Sequence, residues 1–214
     1  MTQRIGIFGG SFNPPHHGHL RLALECLEHL ALQRLLFLPA GHHPFKSDQT
    51  VTVGHRLAMV ELAIATEPRF SLCRHEAEAE GVCYTVDTLA TLKSLYSDYE
   101  LVFVVGSDLL AELHLWRQWR TLLHWAHLGC LQRPGNGTHY SDEVAAWLQI
   151  HQVATPAALR YDDKAGSHQV VWLPMTPLEI SSSAIRQQLQ QGRSPRYLLP
   201  DGVTDYIQQQ GLYR

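Results

Sequence analysis

Charge is scarce in this sequence: Asp, Glu, Lys and Arg make up 17% of its 214 residues, and the formal net charge is −3. Such a surface lacks the sequence-independent pull of a basic protein on a phosphate backbone, which argues against a nucleic-acid partner. Cysteine is thin as well. Cys26, Cys73, Cys83 and Cys130 are scattered with no C-x-x-C pair. That pattern indicates neither a zinc ribbon nor a disulfide framework, and it suggests buried thiols in a reducing compartment. No apolar run approaches the length of a membrane span, and Met1-Thr2-Gln3-Arg4 leads into the first apolar segment without a signal-peptide core. The expectation is a soluble, cytoplasmic protein with no membrane partner.

Two common phosphate-binding loops are missing too. No G-x-x-x-x-G-K-[ST] run occurs, the first glycine cluster is not spaced as G-x-G-x-x-G, and no acidic residue closes the next apolar run, Leu35-Leu36-Phe37-Leu38-Pro39. What stands instead is Gly9-Gly10-Ser11-Phe12-Asn13-Pro14-Pro15-His16-His17-Gly18-His19-Leu20, close behind Ile5-Gly6-Ile7-Phe8. A β-prone run, paired glycines, a proline turn and a helix-like segment are how a strand hands an anion to a helix N-terminus. Gly9 and Gly10 remove Cβ atoms where backbone amides must approach a ligand, and both can take positive φ. If the helix begins by His16, His16 and His19 share one face near its positive end and can donate to phosphate oxygens. The competing reading is an ordinary strand-turn-helix with surface histidines.

Fourteen histidines, with His42 and His43 beyond the first cluster, raise the question of a transition metal. Neither H-E-x-x-H nor a carboxylate at ligand spacing accompanies them. Phosphate contact is therefore preferred, and no metal held by protein side chains is expected.

Apolar residues at Leu20, Ala23, Leu24, Leu27 and Leu30 or Ala31 predict a helix over 18–31, and Leu35–Leu38 predicts a strand, giving a β-α-β unit. Further strands are expected at 70–73, 101–105, 126–131 and 170–173, with helices over 55–65, after Tyr84, over 142–148, from 180 to near 192 and in the tail. Hydrophobic content of 45% is ample for one α/β domain over residues 1–214, with a helical C-terminal portion over about 176–214. Ligands of such sheets lie beyond the C-terminal strand ends, where Gly9 to His19 and the loop Ala40 to Lys46 would meet. Glu76, Glu78 and Glu80 read as a solvated acidic stretch. Thr85 reads as an N-cap whose following amides suit a small carboxylate. Arg186, in the first turns of its helix, opposes the helix dipole, and an anion bound there would remove the conflict.

Residues 9–20 resemble the G-G-[ST]-F-D-P-x-H-x-G-H-L signature of the nucleotidylyltransferase superfamily. Later segments narrow the likeness to the bacterial nicotinate-nucleotide adenylyltransferases. Tyr84-Thr85-Val86-Asp87-Thr88-Leu89 is similar to [SY]-Y-T-x-D-T-L, Gly106-Ser107-Asp108 to G-x-D, and Ile180-Ser181-Ser182-Ser183-Ala184-Ile185-Arg186 to I-S-S-[ST]-x-I-R. Arg133-Pro134-Gly135 and the closing Gly211-Leu212-Tyr213 extend the match over nearly the whole chain.

The resemblance implies a Rossmann-like doubly wound parallel sheet of nucleotidylyltransferase type. It also implies transfer of the adenylyl group of ATP to nicotinate mononucleotide, giving deamido-NAD and pyrophosphate, with Mg²⁺ arriving on ATP. It assigns charge stabilisation to His16, His19, Lys46 and Arg186. ATP contacts fall to Gly9, Gly10, Ser11, Phe12, Gly18, Gly106, Asp108, Arg133, Ile180, Ser181 and Ser182. Tyr84, Thr85 and Trp116 would hold nicotinate mononucleotide, with Trp116 stacked on the pyridine ring. Arg56 and Met59 match an R-x-x-M pair taken as structural, and Trp119 is assigned to packing.

Three departures stand out. Asn13 replaces the usual aspartate, with turn formation as its expected task and little loss. Arg117 stands where an aromatic residue is common, and His43-Pro44-Phe45-Lys46 replaces P-P-H-K. Open alternatives are another phosphorylated acceptor such as phosphopantetheine, use of CTP, a nucleotide-sensing module without turnover, and a metal-dependent hydrolase.

Overall fold

The computed structural model describes residues 3–41, 51–132, 139–162 and 166–214. Its centre is a sheet of β1 (Arg4–Gly10), β2 (Arg34–Pro39), β3 (Phe70–Leu72), β4 (Glu100–Gly106), β5 (His127–Leu131), β6 (Gln152–Val153) and β7 (Val170–Leu173). The order is β3-β2-β1-β4-β5-β7-β6, and every pairing is parallel. The chain therefore winds outward in both directions from β1 and β4. The crevice above their C-terminal ends is the topological switch point where such sheets take ligands.

The described helices are α1 (His17–His29), α2 (Val53–Ile64), α3 (Thr85–Leu95), α4 (Ser107–Ala111), α5 (Leu122–Trp125), α6 (Asp142–His151), α7 (Ser182–Gln190) and α8 (Asp201–Gln210). Side-chain alternation along the strands divides them between two cores. Leu35, Phe37, Val102 and Val104 point to the core shared with α1, α2, α7 and α8. Ile5, Ile7, Leu36, Leu101, Phe103 and Val105 point to the core shared with α3 through α6. Because both faces are covered, the central strands read as continuous apolar runs rather than alternating ones.

The expected doubly wound α/β sheet is present, with local corrections. Two-residue β6 was not foreseen, and it places β7, the last strand in the chain, one position in from the edge. Gly9 and Gly10 lie within β1, opposite Leu38 and Pro39, so neither uses positive φ; Phe12 does, at 45°. Cys26 and Cys130 are buried, whereas Cys73 and Cys83 are only partly so. Among the described residues, no helix is long and apolar enough to cross a membrane.

The opposite end of the sheet carries an ion network. Glu100, at the start of β4, lies 3.0 Å from the guanidinium of Arg4 and 3.6 Å from the buried imidazole of His127. His127 and Arg4 together hold the Glu100 carboxyl down at about 2. His168 packs edge-on against His127 with ring centroids 4.7 Å apart and donates to the Leu123 carbonyl. Burial, reinforced by His127 and Lys93, pulls His168 down to about 4.

Both shifts act in the same direction on stability. Between about pH 6.5 and 4 the unfolded chain binds a proton that folded His168 refuses, and between about 4.5 and 2 the same holds for Glu100. Stability present at pH 7 is thus lost stepwise on acidification. Urea midpoints measured from pH 7.5 to 3 should fall through both windows. His168→Gln should flatten the first and Glu100→Gln the second; slopes unchanged by either substitution would refute the assignment.

Candidate active site

The first strand-end loop explains why its residues are spaced as they are. His16 is the N-cap of α1, and its Nδ1 accepts the amide of His19 at 3.3 Å while Nδ1 of His19 accepts the amide of His16 at 3.2 Å. The rings stack with centroids 3.7 Å apart. With both Nδ1 atoms accepting, the ring proton of each imidazole belongs on Nε2. The expected shared face for the pair is found, one turn long.

Gly18 makes room for this pair: a Cβ there would lie 2.9 Å from His16 Nδ1. Gly10 does the same for Phe12, whose ring atoms begin 3.0 Å from the position of an added Cβ. Phe12 is buried and edge-packed on Phe8 and His19, which fixes the outer side of the His19 ring. Holding Phe12, a bulky residue, at positive φ costs on the order of 1–3 kcal/mol, so the surroundings must over-determine this loop.

They do. Arg56 of α2 is wholly buried and donates to the carbonyls of Ser11 at 2.9 Å and Ala40 at 2.6 Å, tying the loop after β1 to the loop after β2. Its Nε has no acceptor among the described residues, and burial lowers its pKa. From the C-terminal portion, Arg186 donates to the Asn13 carbonyl at 2.8 Å and Ser182 to the Pro14 carbonyl at 2.8 Å. The His17 amide bonds the Leu198 carbonyl at 3.0 Å, and the Tyr213 hydroxyl donates to Asn13 Oδ1. Asn13 therefore does more than form a turn: it joins the loop to the chain's penultimate residue. Ser181 caps α7 through the Ala184 amide, and Ile180 would sit 3.5 Å from a Gly18 Cβ. Gly9, Gly10, Ser11, Phe12, His16, Gly18, His19, Ile180, Ser181, Ser182 and Arg186 are thus gathered on one side of the crevice.

Across β4 lie the expected acceptor residues. The Phe103 ring stands between the two groups, 3.5 Å from where a Gly9 Cβ would be and edge-on to Trp116 at 6.4 Å. Trp119 is buried against Trp147, as assigned. The cap of α3 is Tyr84, not Thr85, and no side chain caps it. Thr85 is the first helical residue, so its amide and that of Val86 head the helix without an intrahelical partner. Arg117 lies 4.7 Å over the Tyr84 ring and 3.5 Å from Asp87, filling the aromatic position with a cation held on the rim. Gly106 caps α4, Ser107 is buried, and Asp108 is exposed on its first turn.

Lys46 and Arg133 lie outside the described residues. Glu76 corrects the reading of a solvated acidic stretch. It is half-buried, burial raises its pKa, and it accepts the Thr88 hydroxyl of α3 at 2.8 Å, whereas Glu78 and Glu80 are exposed. Its backbone carbonyl also crowds Gly41, where an added Cβ would stand 2.1 Å away.

A family model described as Cytidylyltransferase-like matches residues 7–188. Fold and loop together define a nucleotidyltransferase. Among curated relatives, a probable nicotinate-nucleotide adenylyltransferase of Dechloromonas aromatica is 41% identical over 218 residues, covering 100% of this chain and 99% of the relative. One of the same description from Thermomicrobium roseum is 40% identical over 212 residues, 99% of this chain and 92% of the relative. This chain belongs to the nicotinate-nucleotide adenylyltransferase family. Its fold is similar to that of the Plasmodium falciparum nicotinic acid mononucleotide adenylyltransferase complexed with NaAD. The TM-score is 0.73 at 20% identity, over 99% of this chain and 97% of that one.

Two substitutions test the scaffold. Gly18→Ala should keep the fold and lower turnover about 10²-fold by displacing the His16 ring; undiminished turnover would show that the ring position is immaterial. Arg56→Leu orphans the Ser11 and Ala40 carbonyls and should cost about 3 kcal/mol or more in urea unfolding.

Proposed function

We infer that the family's reaction, transfer of the adenylyl group of ATP to nicotinate mononucleotide, runs across the crevice between β1 and β4 as an in-line displacement. A phosphate oxygen of the mononucleotide attacks the α-phosphorus of ATP. The bond to the bridging oxygen breaks, and pyrophosphate leaves with the electron pair. No covalent intermediate on the protein is required. The observation that carries this reading is the stacked pair His16 and His19 at the head of α1, where each Nδ1 accepts the other's backbone amide and the two rings are fixed beside the anion-attracting helix terminus. Arg186 and the head of α1 add positive potential on the same side, and Lys46 joins them through the family resemblance.

Nucleotidyltransferases that use ATP generally employ a divalent metal. Here the donors around the loop are imidazoles, amides, hydroxyls and guanidinium, and among the described residues no group of three or more His, Cys, Asp and Glu is placed to hold an ion. That set fits Mg²⁺ carried by the triphosphate and keeping most of its waters, with Asp108 the exposed carboxylate at the strand end. When bound, the ion neutralises charge on the departing pyrophosphate.

For the acceptor, the Thr85 and Val86 amides suit a carboxylate, and Trp116 offers an apolar wall to the pyridine ring. A carboxylate accepts at both oxygens, whereas a carboxamide turns an N–H donor toward one of the amides. Nicotinate mononucleotide is therefore favoured over the nicotinamide form.

The purified chain, given ATP and Mg²⁺ with either mononucleotide, should release pyrophosphate and form dinucleotide faster from the acid. His19→Ala should lower kcat by about 10²–10³. Equal turnover of the amide would sink the α3 pocket, while ATP binding without turnover of either acceptor would favour a sensing module.

A further inference from the structure

We propose that Tyr213 is a positioning residue for the adenylyl transfer, acting through Asn13 on the loop that carries His16 and His19. The proposal rests on reading that loop as the phosphate site for ATP.

Tyr213 is 6% exposed, and its hydroxyl donates to Asn13 Oδ1 in a buried contact between residues 200 positions apart. Burial raises its pKa, so the hydroxyl keeps its proton and remains a donor. Enclosed in this way it cannot meet a nucleotide, which is why its role is positioning rather than catalysis. Asn13 is held at two atoms by two elements: Tyr213 takes the side chain and Arg186 takes the backbone carbonyl. Three residues later the chain reaches His16, the cap of α1. A shift of Asn13 is therefore passed directly to the imidazole pair.

Backbone geometry points the same way. Phe12, next to Asn13, and Tyr213 itself both occupy the left-handed region, at φ 45° and 63°. Neither residue type settles there without support from its surroundings. The hydroxyl contact joins the two strained places to one another, so that each supports the other. The acceptor side has no share in this clamp, because Trp116 and α3, which begins at Thr85, pack into the core on the other face of the sheet from Phe12 and Tyr213.

That separation gives the test. Tyr213→Phe keeps the buried ring and removes only the hydroxyl. Steady-state kinetics on the full chain should show kcat reduced about tenfold and KM for ATP raised, with KM for nicotinate mononucleotide unchanged. Asn13→Ala should reproduce this pattern. Asn13→Asp, which still offers the hydroxyl an acceptor, should restore kcat to within about threefold of the parent. The double variant Tyr213→Phe with Asn13→Ala should be no slower than either single one.

A kcat in Tyr213→Phe equal to the parent's, losses that multiply in the double variant, or a simple fall in folded fraction with both KM values unchanged would overturn the proposal. Should Tyr213→Phe fail to fold, the Asn13 pair decides: loss with Ala but not Asp supports the clamp, and equal behaviour of the two refutes it. If the parent chain itself forms no dinucleotide, the reading of the phosphate site fails first. If the parent turns over and the variants match it, only the clamp is wrong.

Discussion

One buried cation holds the working end of this molecule together. The Arg56 guanidinium lies in the core with no carboxylate bonded to it among the described residues, and carbonyls of Ser11, Ala40 and Gly41 accept hydrogen bonds from it. Removing such a group from water is expensive, and only well-aimed acceptors offset it. The acceptors come from the loops after β1 and β2, so α2 can dock fully only when both loops are in place. A lysine could not do the same, since a point charge lacks the planar fork that reaches two loops at once. Folding of the core and shaping of the loop after β1 are thereby one event.

The sheet separates two kinds of electrostatics by its ends. At the N-terminal strand ends, Arg4, Glu100 and His127 close an ion network that serves stability. At the C-terminal ends the charged and polar groups are bonded mostly to backbone carbonyls, which satisfies donors without neutralising charge. Positive potential therefore survives where an anionic substrate would enter, and it is quenched where none does. Parallel strands make this division natural, because all of them present the same end to the crevice.

How much of this was legible in the sequence depends on the range of the interaction. The H-x-G-H stretch could be read because its demands are local: a cap, a glycine under a ring, and a second ring one turn on. The β1-α1-β2 unit and the apolar β4 were legible through periodicity. Asn13 was not, since its partner Tyr213 lies 200 positions away and nothing near residue 13 signals it. Tyr84 displaced Thr85 as the cap of α3 because the helix starts at Thr85, one residue earlier than a threonine cap would require. Glu76 was misread because an acidic run looks solvated until the fold brings the Thr88 hydroxyl to one member of it. Of the freedoms read into the paired glycines, positive φ is not used, and Gly10 instead gives clearance to the Phe12 ring.

The helix α7 shows why scaffold and binding groups overlap here. From sequence, Arg186 is a cation at the wrong end of a helix, in need of an anion. In the folded chain it already has an acceptor in the Asn13 carbonyl, just as Ser182 has the Pro14 carbonyl, while the Ser181 hydroxyl accepts the Ala184 amide. Groups that the resemblance assigns to ATP thus hold the loop before any nucleotide arrives. A loop that is ordered beforehand demands no ordering entropy at binding. The interactions that strengthen as charge develops on the α-phosphate can then act on the transition state itself rather than on assembling the site. The C-terminal portion, distant in sequence from the histidines, is in this sense part of the scaffold that holds them.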